Sequence, residues 1–181
     1  MRFLAISGSL RVVSSNTALL RAAALVAAEG VEVAIYDGLA GLPHFNPDLE
    51  GDGEPAAVTD LRARVRGADG LLISSPEYAH GVPGSLKNAL DWLVGGEEFV
   101  GKPVALLHAS PRATHGLASL TETITVMSGR IVREASITVP LIGKKLDAAG
   151  IAAHPEIGAA LKEAVAAFAR AIAGIAGMPD E

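Results

Sequence analysis

Cysteine is absent from the 181-residue chain. That excludes disulfides, thiolate metal ligands and a thiol nucleophile together. Aromatic residues make up only 4% of the sequence, with a single tryptophan. No apolar run approaches the ~20 residues that span a bilayer. The amino end runs straight into an apolar strand pattern, without the basic, apolar and small-residue series of a signal peptide. Cytoplasmic residence without a membrane partner is the expectation. Basic residues are outnumbered, 15 Lys and Arg against 20 Asp and Glu, for a formal charge of −5. They form no long run, so a nucleic acid, which demands a basic face, is not expected as a partner. The five histidines lack ligand spacing, and no H-E-x-x-H, EF-hand or G-x-S-x-G pattern occurs, so no metal site is expected.

What is present is a soluble α/β composition. Half of the residues are hydrophobic, mostly Ala, Val, Leu and Ile. The length suffices for one domain that buries roughly 70% of its surface. Strand patterns fall at 2–6, 31–36, 69–74, 103–109 and 130–139. Helical patterns fall between them, at 17–29, from Pro55, at 84–94, up to about 128, and from His154-Pro155 onward. Gly30 reads as the C-cap of the first helix and 177–181 as a frayed tail. With no internal repeat and no linker, residues 1–181 form a single domain, a doubly wound parallel sheet. In such sheets ligands sit outside the carboxyl ends of the strands. Three loops follow strand ends and should converge there: loop one (7–17), loop two (75–83) and loop three (110–116).

Loop one, Ser7-Gly-Ser-Leu-Arg-Val-Val-Ser-Ser-Asn-Thr17, lies between a strand and a helix start. Its hydroxyls, the Asn16 amide, the Arg11 guanidinium and the free N–H groups of a helix N-terminus suit a terminal monophosphate. With Gly8 as its only glycine it fits neither G-x-G-x-x-G nor a Walker loop. The alternative is an ordinary Ser/Asn helix cap with a solvated Arg11. Loop two is stiffened by Pro76, Gly81, Pro83 and Gly84. Its backbone could read the rim of a flat heteroaromatic ring, with Tyr78 over a face, or it is a plain Pro/Gly turn. In loop three, Arg112 and His115 again precede a helix. His80 and His115 are the candidates for proton transfer, against capping or solvated roles. The stretch 96–102 has Walker-like spacing but precedes a strand and carries two glutamates, so it is rejected.

Two blocks, Gly8-Ser-Leu-Arg-x-x-Ser-x-Asn16 and Pro76-Glu-Tyr-Ala-His-Gly-x-Pro-Gly-x-Leu-Lys-Asn-Ala-Leu-Asp-Trp92, with Leu42-Pro-x-Phe-Asn-Pro-Asp-Leu49 between them, carry a resemblance. The sequence resembles the NADPH-dependent FMN reductase family, the flavodoxin-like group that includes chromate, quinone and azo-compound reductases. The resemblance implies a five-stranded parallel sheet of order 2-1-3-4-5 with helices on both faces. It implies bound FMN and NAD(P)H as co-substrate. Ser9, Arg11, Ser15, Asn16 and Thr17 match the family's phosphate loop. Pro76, Glu77, Tyr78, Ala79, His80 and Gly81 match the stretch along the isoalloxazine. Ser110, His115 and Gly116 match the loop at the pyrimidine edge, where Pro111, Arg112 and Ala113 depart from the family's glycine-rich pattern. Arg112 is a candidate for a phosphate of the nicotinamide substrate. The implied activity is hydride transfer to flavin N5 and onward, in a ping-pong cycle, to a quinone, metal-oxyanion, azo or flavin acceptor. A homodimer or homotetramer is implied, with loop two and the helix carrying Trp92 partly covered by another subunit. A flavodoxin-like electron carrier and a non-catalytic binding module on the same fold are the alternatives.

Overall fold

The most apolar segments of the chain pair as neighbours. In the computed structural model, which describes residues 1–176, β1 (Arg2–Ser7), β2 (Glu32–Tyr36), β3 (Gly70–Ser74) and β4 (Pro103–His108) lie parallel. With β5 (Arg130–Ile131) the order is β2-β1-β3-β4-β5, the flavodoxin-like order the resemblance implied. Both β3 and β4 are buried at every position. Their unbroken apolar runs follow from helices covering both faces.

Alternate residues of β1 feed two cores. Phe3 and Ala5 face α1 (Ser15–Val26), α5 (Ala148–Ala153) and α6 (Pro155–Ala176). Leu4 and Ile6 face α2 (Ala56–Arg66), α3 (Gly84–Val94) and α4 (Thr114–Val126). Ile157, Leu161, Val165, Phe168 and Ile172 form the buried stripe of α6, and Phe168 meets Phe3 with ring centroids 4.8 Å apart.

Two parts of the chain differ from the sequence reading. The first helix ends at Val26 with Ala27 as its cap. Gly30, at φ 82°, instead turns the chain into β2. Strand five is broken: after β5 the chain makes a 3-10 turn, Arg133–Ala135, then rejoins β4 as β6 (Ile137–Thr138). The Ser136 hydroxyl causes the break, accepting from Leu106 N–H at 3.0 Å and donating to the Val132 carbonyl at 2.9 Å. A side chain thus takes the place of a ladder hydrogen bond. The tail 177–181 lies outside the described residues.

The long stretch after β2 folds as three short 3-10 turns, Gly38–Gly41, Pro47–Leu49 and Gly51–Gly53. α3 clamps its middle. Asn88 accepts from Phe45 N–H at 2.7 Å and donates to the Pro43 carbonyl at 2.9 Å; Trp92 Nε1 donates to the same carbonyl at 2.8 Å. Trp92 is therefore covered within its own chain, leaving only the other faces of α3 open to a partner. The end of the stretch is held by charge. Arg62 pairs with Glu50 and Glu54 at 3.0 Å and with Glu98 at 3.7 Å, and Arg66 reaches Glu98 at 3.4 Å. Glu98 is buried, and Lys102 Nζ donates to the Ala68 carbonyl. The Walker-like stretch is thus structural. Removing one partner of a buried pair strands the other charge. Arg62→Ala should lower the urea-derived unfolding free energy by about 3 kcal/mol; a loss under about 1 kcal/mol would show that the cluster is solvated.

Candidate functional site

Loop one is built by its own side chains. Ser14 caps α1, its Oγ accepting from Thr17 N–H at 3.3 Å. α1 therefore starts at Ser15, and the N–H groups of its first turn lack intrahelical acceptors. Ser7 and Thr17 hydroxyls meet at 2.8 Å. Ser9 is buried and its Oγ accepts from Arg11 N–H at 3.4 Å. Asn16 Oδ1 accepts from the Ser74 hydroxyl at 3.0 Å, tying loop one to β3. Gly8 N–H donates to the Ser74 carbonyl at 2.8 Å. A Cβ at Gly8 would lie 2.7 Å from Ser75 Oγ. Gly8 is thus required for close approach.

Loop two folds back as a tight hairpin. Tyr78 and Gly81 exchange backbone hydrogen bonds at 3.1 and 2.9 Å. Ala79 and His80, between them, take φ of 49° and 61°, the conformation of a type I′ turn in which glycine and asparagine are the usual residues. Such strained backbone clusters at binding sites. Glu77 reaches across to loop three, and its Oε2 accepts from Gly116 N–H at 2.7 Å. A Cβ on Gly116 would meet Glu77 Cβ at 3.0 Å. The His80 and His115 rings stack with centroids 4.2 Å apart.

Loop three is shorter than expected, because α4 starts at Thr114. His115 and Gly116 therefore belong to a helical first turn. Ser110 organises what precedes it, its Oγ accepting from Arg112 N–H at 3.1 Å. The donors free to face a ligand are thus the N–H groups of Thr114 and His115, whose intrahelical acceptors do not exist. The N–H groups of Arg112 and Gly116 are already engaged.

The three loops meet at a cavity of about 340 Å³. Ser15 and Asn16 enter from loop one, Pro76 and Glu77 from loop two, Ser110 and Arg112 from loop three. Ile142 closes one side; an exposed isoleucine beyond Pro140 gave no sequence signal. Ser9, Arg11 and Thr17 line an adjoining recess of about 370 Å³ with Arg21, Tyr36 and Asp37. Burial, then the nearby Asp60 carboxylate, raise the Tyr36 phenol pKa above its usual value. The five phosphate-loop candidates are thus split between two neighbouring hollows. Tyr78, Ala79, His80, Gly81, His115 and Gly116 do not line the central cavity; Tyr78 and the stacked histidines are exposed.

The family profile described as NADPH-dependent FMN reductase matches residues 1–141. The chain belongs to this family. An NAD(P)H-dependent FMN reductase of Pseudomonas aeruginosa is 42% identical over 112 residues, 61% of this chain and 60% of that one. A quinone reductase of Escherichia coli K12 is 32% identical over 146 residues, covering 77% and 78%. Among solved structures, the flavoenzyme NAD(P)H:(acceptor) oxidoreductase FerB from Paracoccus denitrificans superposes with a TM-score of 0.76 at 29% identity over 96% of this chain and 97% of that one. The matched stretch spans half to three-fifths of the length of the first curated relatives, 47% to 60%. In this member of the NADPH-dependent FMN reductase family, Glu77 joins two loops as a surrogate helix cap. Glu77→Ala should cost about 1 kcal/mol, the worth of a cap, and should speed amide exchange at residues 114–117 ahead of global unfolding. Unchanged exchange there would remove the capping role.

Proposed function

We propose that this protein is an FMN-dependent NAD(P)H oxidoreductase that reduces a small-molecule acceptor. The observation that carries the reading is the meeting of three strand-end loops at one cavity beside the N-terminus of α1, in a chain of this family. The donor set fits the phosphate end of FMN: Ser15 and Asn16 N–H groups at a positive helix end, with Ser9, Arg11 and Thr17 alongside. Pro76, Glu77 and Ser110 would hold the ring. When bound, the flavin supplies the redox chemistry, accepting hydride from the nicotinamide at N5 and donating electrons to the acceptor.

The chain's own residues bind, orient and polarise. The start of α4 offers Thr114 and His115 N–H groups and the positive end of a helix to an electron-rich ring edge. Glu77 is engaged with Gly116 and serves as a positioning residue instead of a base. His80 and His115 stack on each other, and hydride transfer needs no proton from either. Arg112 is exposed at the cavity wall, where a phosphate of the nicotinamide substrate would find it. Nicotinamide and acceptor enter the same mouth in turn, which is a ping-pong cycle. Relatives named quinone reductase favour a quinone as acceptor, and a nicotinamide co-substrate favours the cytoplasm. Leu10, Val12 and Val13 of loop one are exposed, and the gain from covering them between subunits favours a homodimer or homotetramer.

Rapid mixing with NADPH under argon tests the reading: the bound flavin should bleach within the time of one turnover. Flavin that binds but is not reduced would make the protein an electron carrier. Replacing both Ser9 and Arg11 by alanine should weaken FMN retention by about tenfold or more, as expected for lost charge-assisted bonds. Arg112→Ala should raise the KM for NADPH about fivefold, the worth of one solvent-facing ion pair. An unchanged KM would remove Arg112 from substrate binding.

A further inference from the structure

A second cavity, of about 450 Å³, lies between α4 and the broken fifth strand. It shares no lining residue with the strand-end cavity. Its existence follows from the break. β5 leaves the sheet after two residues, and β6 returns only at Ile137. The space between the sheet edge and α4 therefore stays open. Leu106, Leu117, Ile131 and Ile137 supply apolar walls. The volume is that of a site for a small organic molecule.

One side chain on its wall has a buried polar atom without a partner, and one charge on its wall has no counter-charge. His108, on β4, lines the cavity at 4% exposure, and its Nε2 has no hydrogen-bond partner. Buried polar groups without partners are costly and few in folded proteins. Burial also lowers the His108 pKa, holding the imidazole neutral. Arg133, in the 3-10 turn, is the one charged residue on the cavity wall besides the neutral histidine. It is exposed, no carboxylate lines the cavity with it, and it makes no ion pair among the described residues. The arrangement has a cation at one place, a neutral imidazole at another, and a greasy wall shared by sheet and helix.

We propose that this cavity binds an aromatic hydroxycarboxylate, with its carboxylate on Arg133, its ring against the apolar wall and its hydroxyl toward His108. Such a ligand satisfies the cation and brings a hydrogen-bonding group to the buried imidazole. Simple apolar molecules would leave His108 unpartnered and Arg133 without a counter-charge, and inorganic anions would leave the apolar wall wet. The site is independent of the redox reading, since neither Arg133 nor His108 lines the strand-end cavity.

The test uses the protein as purified, with 6-hydroxy-2-naphthoate as the probe and the histidine ring resonances in a long-range ¹H–¹⁵N spectrum as the readout. Saturable movement of the His108 ring signals is expected. 2-Naphthol, lacking the carboxylate, should bind about tenfold more weakly, the scale of one charge-assisted contact. Arg133→Gln should weaken the naphthoate by the same factor and leave 2-naphthol unchanged. Thr125→Phe, at an exposed position on the cavity wall, should abolish the His108 shifts while flavin content stays as in the parent protein. His108 signals that do not move up to the solubility limit of the probe would overturn the proposal. So would shifts that persist undiminished in both variants.

Discussion

Ser7 and Ser74 stand opposite each other at the ends of two neighbouring parallel strands, and this shared terminus is the constraint on which the site rests. Loops one and two start from the same line across the sheet. They can close against each other only because position 8 has no side chain, since a Cβ there would press on Ser75 Oγ. Parallel strands of matched length bring their carboxyl ends to one edge. The absence of a methyl group lets the loops touch.

The polar residues of the three loops are largely consumed in holding the loops themselves. Thr17 bonds Ser7, Asn16 bonds Ser74, Ser110 bonds its own loop, and Glu77 caps α4. This leaves the backbone N–H groups at the starts of α1 and α4 as the main donors facing outward. A site made this way is preorganised: its dipoles are aimed before a ligand arrives and need no reorganisation afterwards. The strained turn at Ala79–His80 fits the same pattern, with tertiary contacts holding a backbone shape that local preference disfavours.

The parts of the fold that rest on local pattern were legible in the sequence. α3 spans Gly84–Val94 as expected, because Pro83 and Gly95 bracket one apolar stripe. β3 and β4 were readable because burial on both faces leaves no polar interruption. What escaped depends on distant partners. The break in strand five comes from a Ser136 hydroxyl finding Leu106, 30 residues away. The Glu77 cap spans 39 residues and the Trp92 clamp 49. No periodicity announces such bonds. The phosphate-loop candidates were chosen by type, but their division between two hollows required the coordinates. His108 read as one more residue of a buried strand, because the cavity beside it exists only through that unannounced break.

The central claim, that the three strand-end loops enclose one flavin mononucleotide, is tested most directly by the visible spectrum of the purified protein together with the mass of the chromophore released on denaturation. The account requires flavin absorption bands and release of FMN, with uptake of added FMN to one per chain. A colourless protein that takes up no FMN, or one that releases a different chromophore, would contradict it.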